Sequence, residues 1–208
     1  MIKRLFDLGV SAAGLVLLSP FFLVIGWAIK ATDAGPVFYR GWRVGRFARP
    51  FRIFKFRSMV VNAEKLGGSS TAADDPRLTP VGRILRKYKL DELPQLLNVF
   101  LGHMSLVGPR PEVQRFTDMY RGEEKAILSL RPGITDWASI WNSDEGAILA
   151  GSVDADQAYL ELIRPRKIKL QLKYLREQSF LTDLKIIFQT LTTLLGRRRT
   201  WVQPWQTE

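Results

Sequence analysis

The sequence predicts an α+β chain that is mostly helical: an N-terminal re-entrant membrane helix, a small β-hairpin, and a helical core that ends in amphipathic interfacial helices. Three observations carry this. Leu8 to Ile29 is almost wholly apolar and long enough to span a bilayer, yet it is broken by Ser19-Pro20. Two short alternating stretches, Pro36 to Arg40 and Phe51 to Arg57, flank a basic turn. From Val81 onward, apolar residues recur mainly at helical spacing. At 208 residues one domain with a real core is expected and a second independent one is not. Residues 1–35 are therefore read as the anchor and 36–208 as a cytosolic domain, the two forming a single unit.

The anchor lacks the small-residue cleavage site of a signal peptide, so it is expected to stay in the mature chain. Pro20 removes a helical hydrogen bond and kinks the segment, and Ser19 can help satisfy the freed backbone. Lys3 and Arg4 precede the apolar run, while Lys30, Arg40, Arg43 and Arg46 follow it. Positive charge on both sides favours a helix-break-helix that enters and leaves on the cytoplasmic face over a simple span. Asp7 is expected to pair with Arg4, since a spacing of three puts them on one helical face.

The balance of 31 Lys+Arg against 20 Asp+Glu gives a formal net charge of +11. A chain this basic expects anionic partners: nucleic acid, anionic lipid or phosphorylated small molecules. The apolar first segment decides among them, directing the charge to a membrane and away from nucleic acid. With no cysteine, disulfides, thiolate catalysis and Cys-ligated metal are excluded. The single histidine, His103, is expected in a turn and makes a histidine-based metal site or triad improbable.

Asp33 to Pro36 reads as a turn. In the hairpin that follows, Phe51 and Ile53 alternate with Arg52, and Phe54 and Phe56 with Lys55 and Arg57, with one break in phase. Lys55 and Arg57 would share a face, either solvated or turned to an anion. Asn62 to Pro76, rich in Gly, Ser and Ala, is expected to be a mobile loop, and Gly67-Gly68 lacks the ending of a P-loop. A basic helix, Val81 to Lys87, brings Arg83, Arg86 and Lys87 up to the adjacent carboxylates Asp91 and Glu92.

Asp91 suits an N-cap, Pro94 is tolerated in a first turn, and Leu93, Leu96, Leu97 and Val99 supply an apolar face, so a helix is expected to begin at the acidic pair. The helix dipole there favours ionised carboxylates. An ionised Asp can attack phosphorus, and two carboxylates can share Mg²⁺, a hard cation that prefers oxygen ligands and substrate phosphates. An acidic pair alone is more often a solvated helix start. Gly108-Pro109-Arg110-Pro111 shifts that balance, because two prolines fix the backbone around one guanidinium, which suits bidentate phosphate binding.

Glu112 to Leu130 reads as an amphipathic helix with Val113, Phe116, Met119 and Tyr120 in the core. Arg131 to Ala138 reads as a tight turn. From Asp154 the chain is helical and basic, with Ile168, Leu172 and Leu175 apolar and Lys167, Lys169, Lys173 and Arg176 polar. In Phe180 to Leu195 the residues Leu184, Ile187, Phe188, Leu191 and Leu195 share a face. Core packing is preferred for most of that helix, and lipid contact for Arg197 to Arg199, with Trp201 and Trp205 in an interfacial tail.

Leu90-Asp91-Glu92-Leu93-Pro94-Gln95-Leu96 and Met104 to Pro111 resemble the bacterial sugar transferases, the monotopic polyprenyl-phosphate phosphoglycosyl transferases, and the likeness runs from Lys3 to about Leu195. Phe54 to Met59 matches a further motif of that family. The resemblance implies transfer of a sugar-1-phosphate from a UDP-sugar to undecaprenyl phosphate with release of UMP, at the cytoplasmic face of the bacterial inner membrane, as the first membrane step of glycan or exopolysaccharide assembly. It implies that Asp91 is the nucleophile that carries the phosphosugar. Glu92 would help hold Mg²⁺ or assist proton handling, and Lys55, Arg57, Arg86 and Arg110 would meet phosphate charge. Ser19 and Pro20 would make the membrane break, and anionic membrane lipids would surround it. Larger family members carry extra N-terminal spanning helices, so a minimal catalytic form is expected. Asp136 and Ser139 stand where the family has glycine and glutamine, which puts the local backbone and any sugar contact there in doubt. Two rivals remain: a basic, membrane-attached binding module for anionic lipid or nucleic acid, and a structural subunit in which the acidic pair only caps a helix.

Overall fold

In the computed structural model, which describes residues 1–196, the apolar first segment forms two helices, α1 (Ile2–Leu17) and α2 (Ser19–Thr32), that meet at 60°. Pro20 sits in the first turn of α2, where its missing N–H costs nothing, and the Ser19 hydroxyl donates to the Val16 carbonyl at 2.8 Å. Among the described residues no single helix is long and apolar enough to cross a membrane, whereas this bent pair is when taken together. Val16, Leu17, Leu23, Val24 and Trp27 are exposed around the bend.

The expected Asp7–Arg4 pair does not form. Asp7 is 2% exposed and accepts from the Ser105 hydroxyl at 2.8 Å and the Leu106 N–H at 3.0 Å, while Arg4 donates to the Val99 and Phe100 carbonyls. Both side chains tie the start of α1 to the middle of the chain, and these buried partners win over a local ion pair.

The hairpin is longer than the sequence suggested, because the basic turn itself contains strands. β1 (Phe38–Tyr39) pairs antiparallel with β4 (Lys55–Phe56), and inside it β2 (Trp42–Val44) pairs with β3 (Pro50–Arg52). The phase break at Ile53-Phe54 is the joint between the two ladders. Asn98, fully buried, plugs that joint: its amide donates to the Arg52 carbonyl and its oxygen accepts from the Phe54 N–H, each at 2.8 Å. On the other side of the ribbon, Ile25 and Ile29 of α2 pack with Phe56 and with Leu85 of α3 (Pro80–Lys87).

Residues 62–76 are tied down where a mobile loop was expected. Arg77 binds Asp75, the Asp156 carboxylate accepts from the Ser69 and Ser70 N–H groups, and the Ala73 N–H donates to the Gly146 carbonyl. After α4 (Gln95–Phe100) the chain forms β5 (Ser105–Val107), with His103 in the intervening turn as expected. The expected helix over 112–130 is instead α5 (Gln114–Thr117) and a 3₁₀ segment (Gly122–Ser129). Gly122, at φ +47°, breaks the run, and Met119 is exposed. Nor is Arg131 to Ala138 only a turn: β6 (Gly133–Thr135) pairs parallel with β5, and Asp136 caps α6 (Trp137–Trp141).

The chain continues through α7 (Glu145–Leu149), α8 (Ala155–Ala158), a π-turn, α9 (Arg164–Glu177) and α10 (Phe180–Leu194). The central core gathers Phe51, Val99, Met104, Val107, Trp137 and Ile186 from across the fold. Lys167 is buried, not on the polar face expected for it. The apolar stripe of α10 also faces the other way from the expected core packing. Phe188 is 65% exposed, with Leu184, Leu191 and Leu195 also exposed, while Asp183 and Ile186 are buried. The inward face is partly polar because Lys3 and Tyr174 hydrogen-bond Asp183. Arg197 to Arg199, Trp201 and Trp205 lie outside the described residues.

Candidate active site

The acidic pair lies between α3 and α4, and the connection is made by Lys89 at φ +57°, a left-handed residue that turns the chain sharply. Asp91 is not an N-cap: Leu90–Glu92 is a 3₁₀ turn without a side-chain cap, and α4 begins after Pro94. This turn places two adjacent carboxylates in different surroundings.

Glu92 is clamped. Arg110 grips its carboxylate with two nitrogens, one bond measuring 3.0 Å, and the Lys55 ammonium reaches it at 2.7 Å. Burial alone would raise the Glu92 carboxyl, but Arg110 and Lys55 hold it well below the usual carboxylate range. Asp91 differs. It is 5% exposed and makes no hydrogen bond or ion pair among the described residues. Burial pushes its carboxyl above the ordinary range, against the pull of Lys55, and the neighbouring Glu92 adds to the rise. An unoccupied carboxylate beside a cation-bound one is suited to attack an electrophile whose negative charge the cations absorb.

Lys55 is carried by β4, and burial lowers its ammonium in spite of Glu92. Arg86, from α3, donates its Nε to the Ser58 hydroxyl at 2.9 Å, and burial lowers its guanidinium while the charges of Asp91 and Glu92 oppose that. Gly82 makes this docking possible, since a Cβ there would stand 1.9 Å from the Ser58 carbonyl oxygen. Of the sequence-predicted cations, Lys55, Arg86 and Arg110 therefore gather around the dyad. Arg57 does not. Its guanidinium binds Asp33 at the end of α2 and the Pro36 carbonyl, fastening the strand that carries Lys55 to the anchor.

Arg110 is positioned from behind. Gly108 and Gly133 face each other so closely that a Cβ on Gly133 would sit 2.1 Å from the Gly108 nitrogen, and the Gly133 N–H donates to the Pro109 carbonyl at 2.9 Å. On its other side, Glu112 accepts from the buried Lys167 ammonium and from the Tyr159 hydroxyl at 2.6 Å. Lys167 stays well above its ordinary value: burial would lower it, and Glu112 prevails. The sequence reading missed Asp33, Asn98, Glu112, Tyr159 and Lys167. Only Glu112, directly after the proline-flanked arginine, carried a local signal.

Asp136 and Ser139 turn out to be partners. Asp136, fully buried, accepts from the Ser139 N–H and hydroxyl, each at 2.7 Å, so together they form the start of α6. Asp136 therefore offers no surface to a sugar.

Among the described residues there is no group of three or more His, Cys, Asp or Glu side chains placed to hold a metal ion. Mg²⁺, however, is commonly held by one or two carboxylates, with substrate phosphates and water completing its shell. The free oxygens of Asp91, next to Glu92, fit that mode of binding.

The profile of the family described as bacterial sugar transferase matches residues 1–197. A UDP-N-acetylgalactosamine-undecaprenyl-phosphate N-acetylgalactosaminephosphotransferase of Aeromonas hydrophila is 37% identical over 197 residues, 93% of this chain and 44% of that protein. The UDP-glucose:undecaprenyl-phosphate glucose-1-phosphate transferase of Escherichia coli (strain K12) is 37% identical over 92% of this chain and 39% of that protein. The exopolysaccharide production protein ExoY of Sinorhizobium fredii is 35% identical over 91% of this chain and 83% of its own length. The chain thus spans less than half the length of the first two relatives and most of the third.

Proposed function

The chain belongs to the bacterial sugar transferase family, and from that membership and the Asp91–Glu92 site we propose that it transfers a sugar-1-phosphate from a UDP-sugar to undecaprenyl phosphate, releasing UMP. In this reading an Asp91 oxygen attacks the phosphorus that bears the sugar. The new bond to Asp91 forms as the bond to the UMP oxygen breaks. The phosphate oxygen of the lipid then attacks the same phosphorus, giving the polyprenyl-diphosphate sugar and freeing the Asp91 carboxylate. The observation that carries the proposal is the contrast inside the dyad: Asp91 buried and unbonded, Glu92 fully engaged by Lys55 and Arg110.

The cations have a matching task. An anionic donor would be repelled by two carboxylates, and Lys55, Arg86 and Arg110 offset that charge in a largely buried setting. Asp91, with Glu92 beside it, would hold Mg²⁺, which would supply further charge neutralisation when bound. The bent α1–α2 pair enters and leaves the cytoplasmic face of the bacterial inner membrane in this reading. The dyad then lies near the depth of the lipid phosphate, and anionic lipids meet the basic surface. The product would begin exopolysaccharide or related glycan assembly.

The test uses detergent-solubilised full chain, Mg²⁺, undecaprenyl phosphate and a panel of UDP-sugars. UMP is expected from wild type and not from Asp91→Asn. Without lipid acceptor, mass spectrometry should find the phosphosugar on the peptide containing Asp91. Full activity in Asp91→Asn would refute the nucleophile, whereas stronger anion binding with no UMP from any sugar would favour the binding-module reading.

A further inference from the structure

A cavity of about 210 Å³ opens where the start of α1 meets β5 and α9, and it shares no residue with the dyad and its cations. Its walls include Lys3, Arg4, Arg46 and Arg131, with Asp7 the only carboxylate, leaving a net side-chain charge of +3. Asp7, whose oxygens accept from the Ser105 hydroxyl and the Leu106 N–H, is already counted in that balance and is outnumbered by the four cations.

The four cations differ in what they can offer. Lys3 is fixed by the Val107 carbonyl at 2.9 Å and Asp183 at 2.5 Å, and Arg4 by the Val99 and Phe100 carbonyls at 2.6 and 3.0 Å. Arg4 contributes mainly field, while the charge of Lys3 is largely balanced by Asp183. Arg46 uses only its Nε, donating to the Ser129 carbonyl at 2.8 Å, with its guanidinium over the Phe47 ring. Arg131 has no partner among the described residues. Two guanidinium groups with unused donors therefore face a cavity whose field is already positive. That combination suits a tetrahedral anion with several acceptor oxygens.

We propose that this cavity binds a phosphate group, as monoester or diester, at a site separate from the dyad. The phosphate could belong to a phospholipid headgroup or to a soluble ion. Next in sequence to the lining residues Lys3 and Arg4, and three residues beyond Gln178, apolar side chains stand in the open: Ile2 and Leu5 of α1 and Leu181 of α10 are 67%, 63% and 77% exposed. Phe180 of α10 packs edge-on against Phe6 of α1 at 5.4 Å, so the starts of these two helices meet. A headgroup held by Arg46 and Arg131 would have somewhere to lay its chains.

Binding to the full chain in neutral detergent is measured with three probes: inorganic phosphate, glycerophosphoglycerol, and dihexanoyl phosphatidylglycerol. The site predicts saturable one-to-one binding that weakens about tenfold or more in an Arg46→Gln/Arg131→Gln double variant of unchanged melting temperature, with Arg131→Lys retaining most of it. Binding of all three probes would assign the site to phosphate in general, and binding of the lipid alone to a headgroup. Absence of saturable binding, or equal affinity in the double variant, would overturn the proposal. None of these readings depends on the transfer reaction.

Discussion

Glu92→Gln separates charge from shape at the centre of the site. The amide keeps an acceptor where Glu92 now binds Arg110 and Lys55, and removes the negative charge that both cations face. Bonds to a charged group contribute roughly 1.5–3 kcal/mol each and neutral ones about 1. Three such contacts are weakened together and share one carboxylate, so a loss of about 2–3 kcal/mol of positioning is expected, or about 30- to 150-fold in kcat/KM. Much of it should appear as a higher KM for the UDP-sugar, because Lys55 and Arg110 are no longer held toward one point. The pH dependence has the opposite character. Glu92 raises the Asp91 carboxyl, so its removal lets Lys55, Arg86 and Arg110 pull Asp91 lower. The acidic limb of kcat/KM for UMP release should move to lower pH even as the plateau falls. An acidic limb shifted to higher pH, or a plateau within twofold of wild type, would refute the division of labour between the two carboxylates.

Asp33→Asn should lower the melting temperature by about 2–4 °C at neutral pH, corresponding to about 1 kcal/mol after allowance for its partial exposure. Arg57 holds the Asp33 carboxyl at about 2, below its ordinary 3.8, so this stabilisation is fully present above about pH 4 and lost as pH falls through 2. A difference between variant and wild type that persisted at pH 2 would count against it. Lys167→Met strands the buried Glu112 charge and should cost about 3–5 kcal/mol in denaturant titration, while adding Glu112→Gln should recover a large part. Two independent, additive losses would argue against the pair. Since the chain has no cysteine, a spin label at Phe188→Cys reports one site. In bilayers it should be more accessible to oxygen than to a nickel chelate, with the reverse at Lys169→Cys on α9; nickel-dominated accessibility at both would place the α10 stripe in water.

What could be read from the sequence was local. Ser19-Pro20, the alternation around Lys55, and Asp91-Glu92 with the proline-bounded Arg110 each carry a signal within a few residues; the structure keeps the break and the strand and brings Arg110 to Glu92, but it sets the acidic pair in a 3₁₀ turn and not at a helix N-cap. What escaped depends on partners far along the chain. Arg57 reads like Lys55, and only the position of Asp33, 24 residues away, removes it from the site. Lys167 looks like one more exposed cation between Arg166 and Lys169 until Glu112, 55 residues off, buries it. The stripe on α10 was evident, yet amphipathic spacing marks two faces without saying which is covered. Asp183 settled that, through Lys3 and Tyr174, by turning the partly polar face inward.

The bond from Lys3 to Asp183 joins residues 180 apart. At typical synthesis rates the anchor would emerge about 10–40 seconds before the residue that completes its binding. Arg4 and Asp7 can bind residues 99–106, and Lys3 the Val107 carbonyl, well before that, so late in synthesis it is the bond from Lys3 to Asp183 that is still missing. α10, the last helix among the described residues, then closes onto the start of α1. A ribosome that stops before Asp183 leaves a chain with its dyad already made but Lys3 without its carboxylate partner, a species that quality-control proteases could tell from the finished protein.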